Sequence, residues 1–468
     1  MQGLLRATAL ALVCAGAVVF SVVALAPEGA TGDDRQEPSP LGAGATRDVN
    51  RMLGEISSRR IEESITALAG FGTRHTLSSQ DDPVRGIGAA RDWIYAEMQK
   101  SAARSGGRMT VEKQSFIQEP GPRVPEPTQI TNVVATLRGS ASPDRMYVVS
   151  GHYDSRCTDV MNATCDAPGA NDDASGVAAV MELARVMATR QFDATIVFMA
   201  VAGEEQGLLG ATYYAEQARQ QGWNIAGMFT NDIVGSSLGQ NGFREPNTVR
   251  LFAEGPYGNE TPAEAATRRT TGSENDSPAR QLARYSEDVA ERTATEMDVR
   301  IIYKRDRYLR GGDHIPFLER RFPAARFTEV NEDYRHQHQD VRIENGEQIG
   351  DLLQFVDFRY TARVARVNGA TLAALALAPA APADVRVRTG SLSVDTALEW
   401  NPSTEADLAG YEIVYRDTVA PRWTHRIPVG NVTSHTVKGL TKDNFLFAVR
   451  AVDRDGNRSP VSFPRPVP

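Results

Sequence analysis

Residues 148–177, VVSGHYDSRCTDVMNATCDAPGANDDASGV, constrain the fold more than any other stretch. They begin within an apolar run, residues 146–149, that reads as a buried strand of a mostly parallel sheet. His152 and Asp154 stand at the carboxyl end of that strand. A loop rich in Gly, Asn and Asp then delivers Asn171, Asp172 and Asp173 to the start of an apolar-periodic helix over 174–189. In open α/β sheets ligands bind along this edge. Imidazole and carboxylate brought together there suit zinc.

Two more apolar runs end in the same way. Residues 194–202, ATIVFMAVA, lead into Gly203-Glu204-Glu205-Gln206-Gly207, and residues 225–230 lead into Asn231-Asp232. Adjacent residues at a strand's end point in different directions, so one carboxylate of the Glu pair can ligate a metal while the other faces its bound water. Taken singly these acids have plainer readings. Asp172 and Asp173 suit the amino end of a helix as caps, and the Glu pair suits an acidic loop. Three strands ending in acidic or imidazole groups make a constellation instead.

Periodicity supplies the rest of an α/β unit over 46–377. Helices are expected at 47–68, 84–103, 278–297 and 349–375, and further strands at 109–116, 130–137, 248–253, 299–303 and 324–330. Residues 119–127 are Pro-rich, 260–277 read as a polar inserted loop, and 342–348 as a polar stretch. His75, in a polar loop, reads as a surface or structural group. Residues 378–383, APAAPA, form a Pro/Ala linker, after which 384–468 alternate as short strands of a small all-β sandwich.

The amino end speaks to compartment. Residues 7–26 carry no charge after Arg6, so 1–30 read as an export signal or, near the roughly 20 residues that span a bilayer, an uncleaved anchor. Residues 31–45 read as a linker. Cys157 and Cys165 flank a short loop, and in an oxidising compartment a disulfide is expected between them, with a zinc thiolate pair as the rival. The formal net charge of -8 and the lack of a Lys/Arg block argue against nucleic acid as a partner.

The pieces SGHYDS, GANDDASGVAAVMELARV, VAGEEQGLLGA, NDIVG, GGDHIPFLERRFPAARF and the QHQD region occur in the order found in a known family. Together they resemble the exported bacterial aminopeptidases with two co-catalytic zinc ions, relatives of the Vibrio and Streptomyces leucyl aminopeptidases. The resemblance implies a zinc aminopeptidase/phosphorylase-like fold and hydrolysis at peptide or protein N-termini, in the periplasm or outside the cell. It implies that Asp172 bridges two Zn2+ ions. His152 and Asp232 complete one ion's shell, and Glu205 and a late histidine the other. Glu204 matches the general base, and Asp154 the group that holds the His152 imidazole. Two histidines compete for the last place. His336 has Asp340 four residues on, while Tyr334, Gln337 and His338 fit the Tyr-x-x-Gln-His form of exported relatives, which favours His338. Tyr334 is the stand-in for the tyrosine that helps hold the oxyanion in many relatives. Asp313 and His314 are read as shaping the pocket. The same fold also carries carboxypeptidases, glutaminyl cyclases and non-catalytic binding proteins of the transferrin-receptor kind, and intact Glu204, Glu205, Asp172 and Asp232 argue against the last. Residues 384–468 resemble a fibronectin type III domain whose usual corner tyrosine is Phe445; His425 and His435 there are read as surface groups.

Overall fold

The computed structural model describes residues 38–468; the expected export segment with Cys14, and residues 31–37 of the expected linker 31–45, lie outside the described residues, and the end of that expected linker is helical from Ala43. An eight-stranded sheet is built from β1 (Met109–Gln118), β2 (Thr128–Leu137), β3 (Ser142–His152), β4 (Ala194–Val201), β5 (Asn224–Asn231), β6 (Thr248–Ala253), β7 (Asp298–Ile302) and β8 (Ala324–Glu329). Its order is β1-β2-β4-β3-β5-β8-β6-β7. The central strands β4, β3, β5 and β8 run parallel, β1 and β2 extend one side antiparallel, and β6 pairs antiparallel with β8.

Every residue of β4 is buried, as expected of a strand covered on both faces. Alternate residues serve different layers. Val149 and Phe198 pack with the apolar faces of α1 (Ala43–Leu53), α2 (Ser58–Gly70), α3 (Ile87–Ala102), α4 (Ala174–Met187) and α9 (Phe358–Leu377). Val148, Val197 and Met199 pack with α5 (Leu209–Gln220) and α8 (His314–Glu319) on the other side. The chain leaves β3 through α4 to reach β4 on one flank, then crosses back through α5 to β5 on the other. That reversal opens a crevice at the carboxyl ends of β3, β4 and β5, where ligands bind in such sheets.

Several elements differ from expectation for local reasons. The single helix expected over 47–68 is two, α1 and α2, because Ser57 takes an extended conformation and its side chain caps α2 by accepting from the Arg60 N–H. The polar loop expected over 260–277 contains α6 (Pro262–Thr271) and leads to α7 (Pro278–Arg292). The short helix α6 buries no residue, so it has no apolar stripe to read, and it rests on a capping box between Thr261 and Glu264 with Pro at its first turn. The helix expected from 349 begins at Phe358, capped by Asp357. Before it, Arg342–Glu344 and Glu347–Ile349 form a hairpin around Asn345-Gly346, both at positive φ.

The carboxyl-terminal sandwich has a four-stranded and a three-stranded sheet enclosing Leu398, Trp400, Tyr411, Ile413, Phe447 and Val449. It is docked by buried ion pairs. Arg416 Nη2 lies 2.8 Å from Asp276 Oδ2, with side chains 3% and 0% exposed, and Arg145 Nη1 lies 2.8 Å from Glu405 Oε1. The expected linker is tied into this contact: Ala378 O accepts from Arg145 Nη2 (2.7 Å), and the Ala380 N–H donates to Glu405 Oε2 (2.9 Å).

Candidate metal centre

His152 is the last residue of β3, Glu204 and Glu205 follow β4, and Asp232 follows β5. Asp172 comes to the same place from the loop before α4, whose cap is its neighbour. The Asp173 carboxylate accepts from the N–H groups of Gly176 (3.0 Å), His152 (3.0 Å) and Ile233 (3.3 Å), so it ties α4, β3 and the turn after β5 together. Asp351 plays the matching part for Asp172, accepting from the N–H groups of Asn171 (2.8 Å) and Asp172 (2.7 Å). Burial pushes the Asp351 carboxyl up to about 7.

The result is two groups of potential ligands. One contains His152, Glu204 and Asp232, and the other Asp172, Glu205 and His338. Asp172 also joins them: its Oδ1 lies 3.2 Å from His152 Nε2 and its Oδ2 lies 3.0 Å from His338 Nε2. His338 Nε2 is also 2.9 Å from Glu205 Oε1, and His152 Nε2 is 3.9 Å from Asp232 Oδ1. Of the two late histidines, then, His338 reaches the acids. His336 instead stacks on Phe355, ring centroids 3.5 Å apart, beside Asp333.

Asp154 lies behind the site, fully buried. It accepts from the N–H groups of Glu204 (3.2 Å) and Glu205 (3.1 Å) and from Thr76 Oγ1 (2.9 Å), and so sets the direction of the whole Glu pair. The His152 ring turns its Nδ1 to Asp154 O at 3.1 Å, leaving Nε2 for the cluster. Asp313 is buried nearby, and neither of its carboxylate oxygens has a hydrogen-bond partner. Its neighbour His314 points away, with Nε2 2.8 Å from Arg305 O. Tyr334 is 57% exposed and does not line the cavity, so it is not brought to a reacting group. His75 is structural and buried, its Nε2 2.9 Å from Val160 O. The loop carrying Arg156 is closed by a Cys157–Cys165 disulfide.

The electrostatics call for positive charge. Burial opposes a charge on His338, but Glu205 and Asp172 raise it to about 10. His152 likewise is raised well above its ordinary value against burial by Asp154, Asp172 and Asp232. Burial raises the Glu204 carboxyl well above the usual range, and Glu205 and Asp232 add to that against the pull of His152. Protons are thus drawn to positions where imidazole nitrogens and carboxylate oxygens converge, and that donor set fits zinc.

The sequence reading passed over Arg326, on β8. It is fully buried, with Nη2 2.8 Å from Asp232 Oδ1 and Nη1 3.0 Å from Asp306 Oδ2. A lone arginine in the apolar strand AARFTE was the available signal. Arg74 was missed too: buried, it gathers the carbonyls of Leu68, Tyr153, Pro168 and Gly169 and thereby shapes the loop before Asp172.

The centre opens into a cavity of about 480 Å³ lined by Asp172, Glu204, Glu205, Asp232 and His338 together with arginines. The family model described as Peptidase family M28 matches residues 132–345. A "probable zinc metalloprotease" of Leptosphaeria maculans is 54% identical over 419 residues, which are 90% of this chain and 97% of the relative. One from Pyricularia oryzae is 53% identical over 90% of this chain and 84% of the relative. These relatives are fungal, and the bacterial kinship implied by the motifs is not supported by them. Among solved structures, the LapA aminopeptidase of Legionella pneumophila matches with a TM-score of 0.50 and 19% identity over 74% of this chain and 78% of that one, a likeness of fold.

Proposed function

The chain belongs to peptidase family M28 and is a zinc metallopeptidase; we propose that it is an aminopeptidase with two co-catalytic zinc ions, releasing N-terminal residues from peptides outside the cytoplasm. The observation that carries this reading is the Asp172 carboxylate, with one oxygen toward His152 and the other toward His338. His152, Asp172 and Asp232 would hold one ion, and Asp172, Glu205 and His338 the other. Zinc in these positions supplies a Lewis acid for the scissile carbonyl and lowers the pKa of the attacking water.

The chain's own groups do the rest. Glu204 takes the proton of the attacking water and returns it to the leaving amine, a task for a carboxylate off the metals but within hydrogen-bond reach. Asp154 keeps Glu204 and Glu205 apart in direction by holding both of their N–H groups. Asp351 and Asp173 fix the backbone on either side of the bridging carboxylate. The aminopeptidase part of the reading is supported by the motif set and by the likeness of fold to LapA. Export is supported by the uncharged run at 7–26 and the disulfide, with attachment to a membrane only through an uncleaved amino-terminal segment, and the sandwich is read as a fibronectin type III-like module. The net charge of -8 and the lack of a Lys/Arg block support a reading without nucleic acid as a partner.

The test is hydrolysis of a panel of aminoacyl chromogenic substrates, with chelation and zinc add-back, beside Glu204→Ala. Chelator-sensitive release from free-amine but not N-blocked substrates, lost in the variant while zinc is retained, is the expected result. Release from N-blocked substrates with a free carboxyl terminus would replace the reading with a carboxypeptidase.

A further inference from the structure

Three loops bring guanidinium groups with no part in the proposed hydrolysis to the same cavity. Arg123 comes from the Pro-rich connection between β1 and β2, Arg156 from the disulfide-closed loop after β3, and Arg310 from the loop before α8. A fourth lining arginine, Arg307, is already matched by Asp306 (3.2 Å) and Glu332 (2.5 Å). Among the described residues the other three have no carboxylate partner outside the ligand set. Arg123 Nη1 donates to Glu205 O at 2.8 Å, which leaves its charge uncompensated. Arg156 has Nε 3.2 Å from Glu205 Oε2 and Nη2 2.8 Å from His338 Nδ1. Arg310 has Nη1 3.0 Å from that same Nδ1 and donates through Nη2 to Gln337 Oε1 at 3.2 Å.

Two guanidinium groups therefore converge on one imidazole nitrogen. A guanidinium and an imidazole N–H both only donate, so Nδ1 is no lasting anchor for two guanidinium groups. A histidine that coordinates through Nε2 carries its hydrogen on Nδ1 and ordinarily gives it to an acceptor. With Glu205 and His338 holding an ion, Glu205 Oε1 would face it while Oε2 stays beside Arg156, and the charge of that carboxylate would be matched by the metal rather than by the arginine. Two metal ions carry four positive charges, enough to balance Asp172, Glu204, Glu205 and Asp232. Arg156 and Arg310 are then left facing the cavity with unmatched charge, beside the atoms that react. An arginine fork in a partly dry pocket binds carboxylates in pairs of parallel hydrogen bonds, and carboxylate is the anion that unmodified peptides carry.

From this we infer, resting on the peptidase reading, that Arg156 and Arg310, with Arg123 beside them, bind a carboxylate of the substrate next to the scissile bond. Two sources share that chemistry: the side chain of an amino-terminal Asp or Glu, and the terminal carboxylate of a dipeptide.

The experiment uses the zinc-loaded full chain and paired substrates that differ only in charge. One arm compares Glu and Gln p-nitroanilides, and the other compares Leu-Gly with Leu-Gly-amide. A preference of at least about tenfold in kcat/KM for the charged member, seen in KM, is expected in one arm, and that arm identifies the source. The ratio should fall toward one in Arg156→Gln/Arg310→Gln with zinc content checked by mass spectrometry. Ratios near one in the wild type, with hydrolysis intact, overturn the inference and leave the peptidase reading standing. A high ratio that survives the double substitution overturns the assignment to these arginines. If no free-amine substrate is cleaved, the aminopeptidase reading fails, and calorimetry with glutarate against glutaramate decides the anion site: tighter glutarate binding lost in the double variant supports it, and equal binding overturns it.

Discussion

The two ligand groups are built differently. The first, His152 and Asp232 with the shared Asp172, draws on the ends of the neighbouring parallel strands β3 and β5, where the side chains of His152 and Asp232 are 1% and 5% exposed, with Glu204 after β4 beside them. Their backing is buried and charged: Asp154 behind the histidine and the Glu pair, and Arg326 against Asp232. The second group shares Asp172 but is completed by His338, from a loop residue at φ 52° whose side chain is 20% exposed and whose far nitrogen meets two arginines. A ligand on a packed strand is held by the core, whereas one on a loop is held by whatever surrounds it. The first group should therefore be a rigid site, and the second one whose surroundings rearrange when metal and substrate arrive.

The largest effect should come from erasing what the groups have in common. Asp172→Ala should leave neither group complete and bring hydrolysis to background, a loss of at least about 10⁶-fold, with zinc content falling below one per chain by mass spectrometry. Glu204→Gln separates chemistry from metal: kcat should fall about 10²- to 10⁴-fold while zinc stays at two per chain. The third prediction sets proton against metal in the second group. In metal-free protein His338 is raised to about 10, so its contribution is complete below the ordinary histidine value and is lost as pH rises from there through about 10. Urea unfolding of the metal-free chain should show a decline on the order of 4 kcal/mol across that window, flattened in His338→Gln and abolished by saturating zinc. The smallest effect is expected from Asp154→Asn, which leaves every ligand in place but loosens their aim. Zinc affinity at the first group should drop about 10- to 100-fold, measured by competition with a chelator.

The same contrast explains what was legible in the sequence. Apolar runs of fixed length mark β3, β4 and β5, and acids directly after such runs stand out against buried surroundings, so His152, Glu204, Glu205 and Asp232 were legible as a cluster at the strand ends, their separate roles coming from the family resemblance. His338 was not. It lies in a stretch of polar residues with His336 two places away, and only the folded loop distinguishes a ring stacked on Phe355 from one aimed at Asp172. Arg156, Arg310 and Asp351 left no periodic signal because each acts from a loop. The helix α6 was hidden for a related reason: with no buried face, its only mark was the Thr261 to Glu264 cap. The docking of the sandwich through Asp276 and Arg416 joins residues 140 positions apart, a pairing that no local pattern announces.

The most direct test of the account is a zinc-edge anomalous difference map of the metal-loaded crystal. Two peaks are predicted, one among His152, Asp172 and Asp232 and one among Asp172, Glu205 and His338, with Glu204 off both. A single peak, or a peak ligated by Glu204 in place of Asp172, would contradict the bridged centre and remove Glu204 as the base.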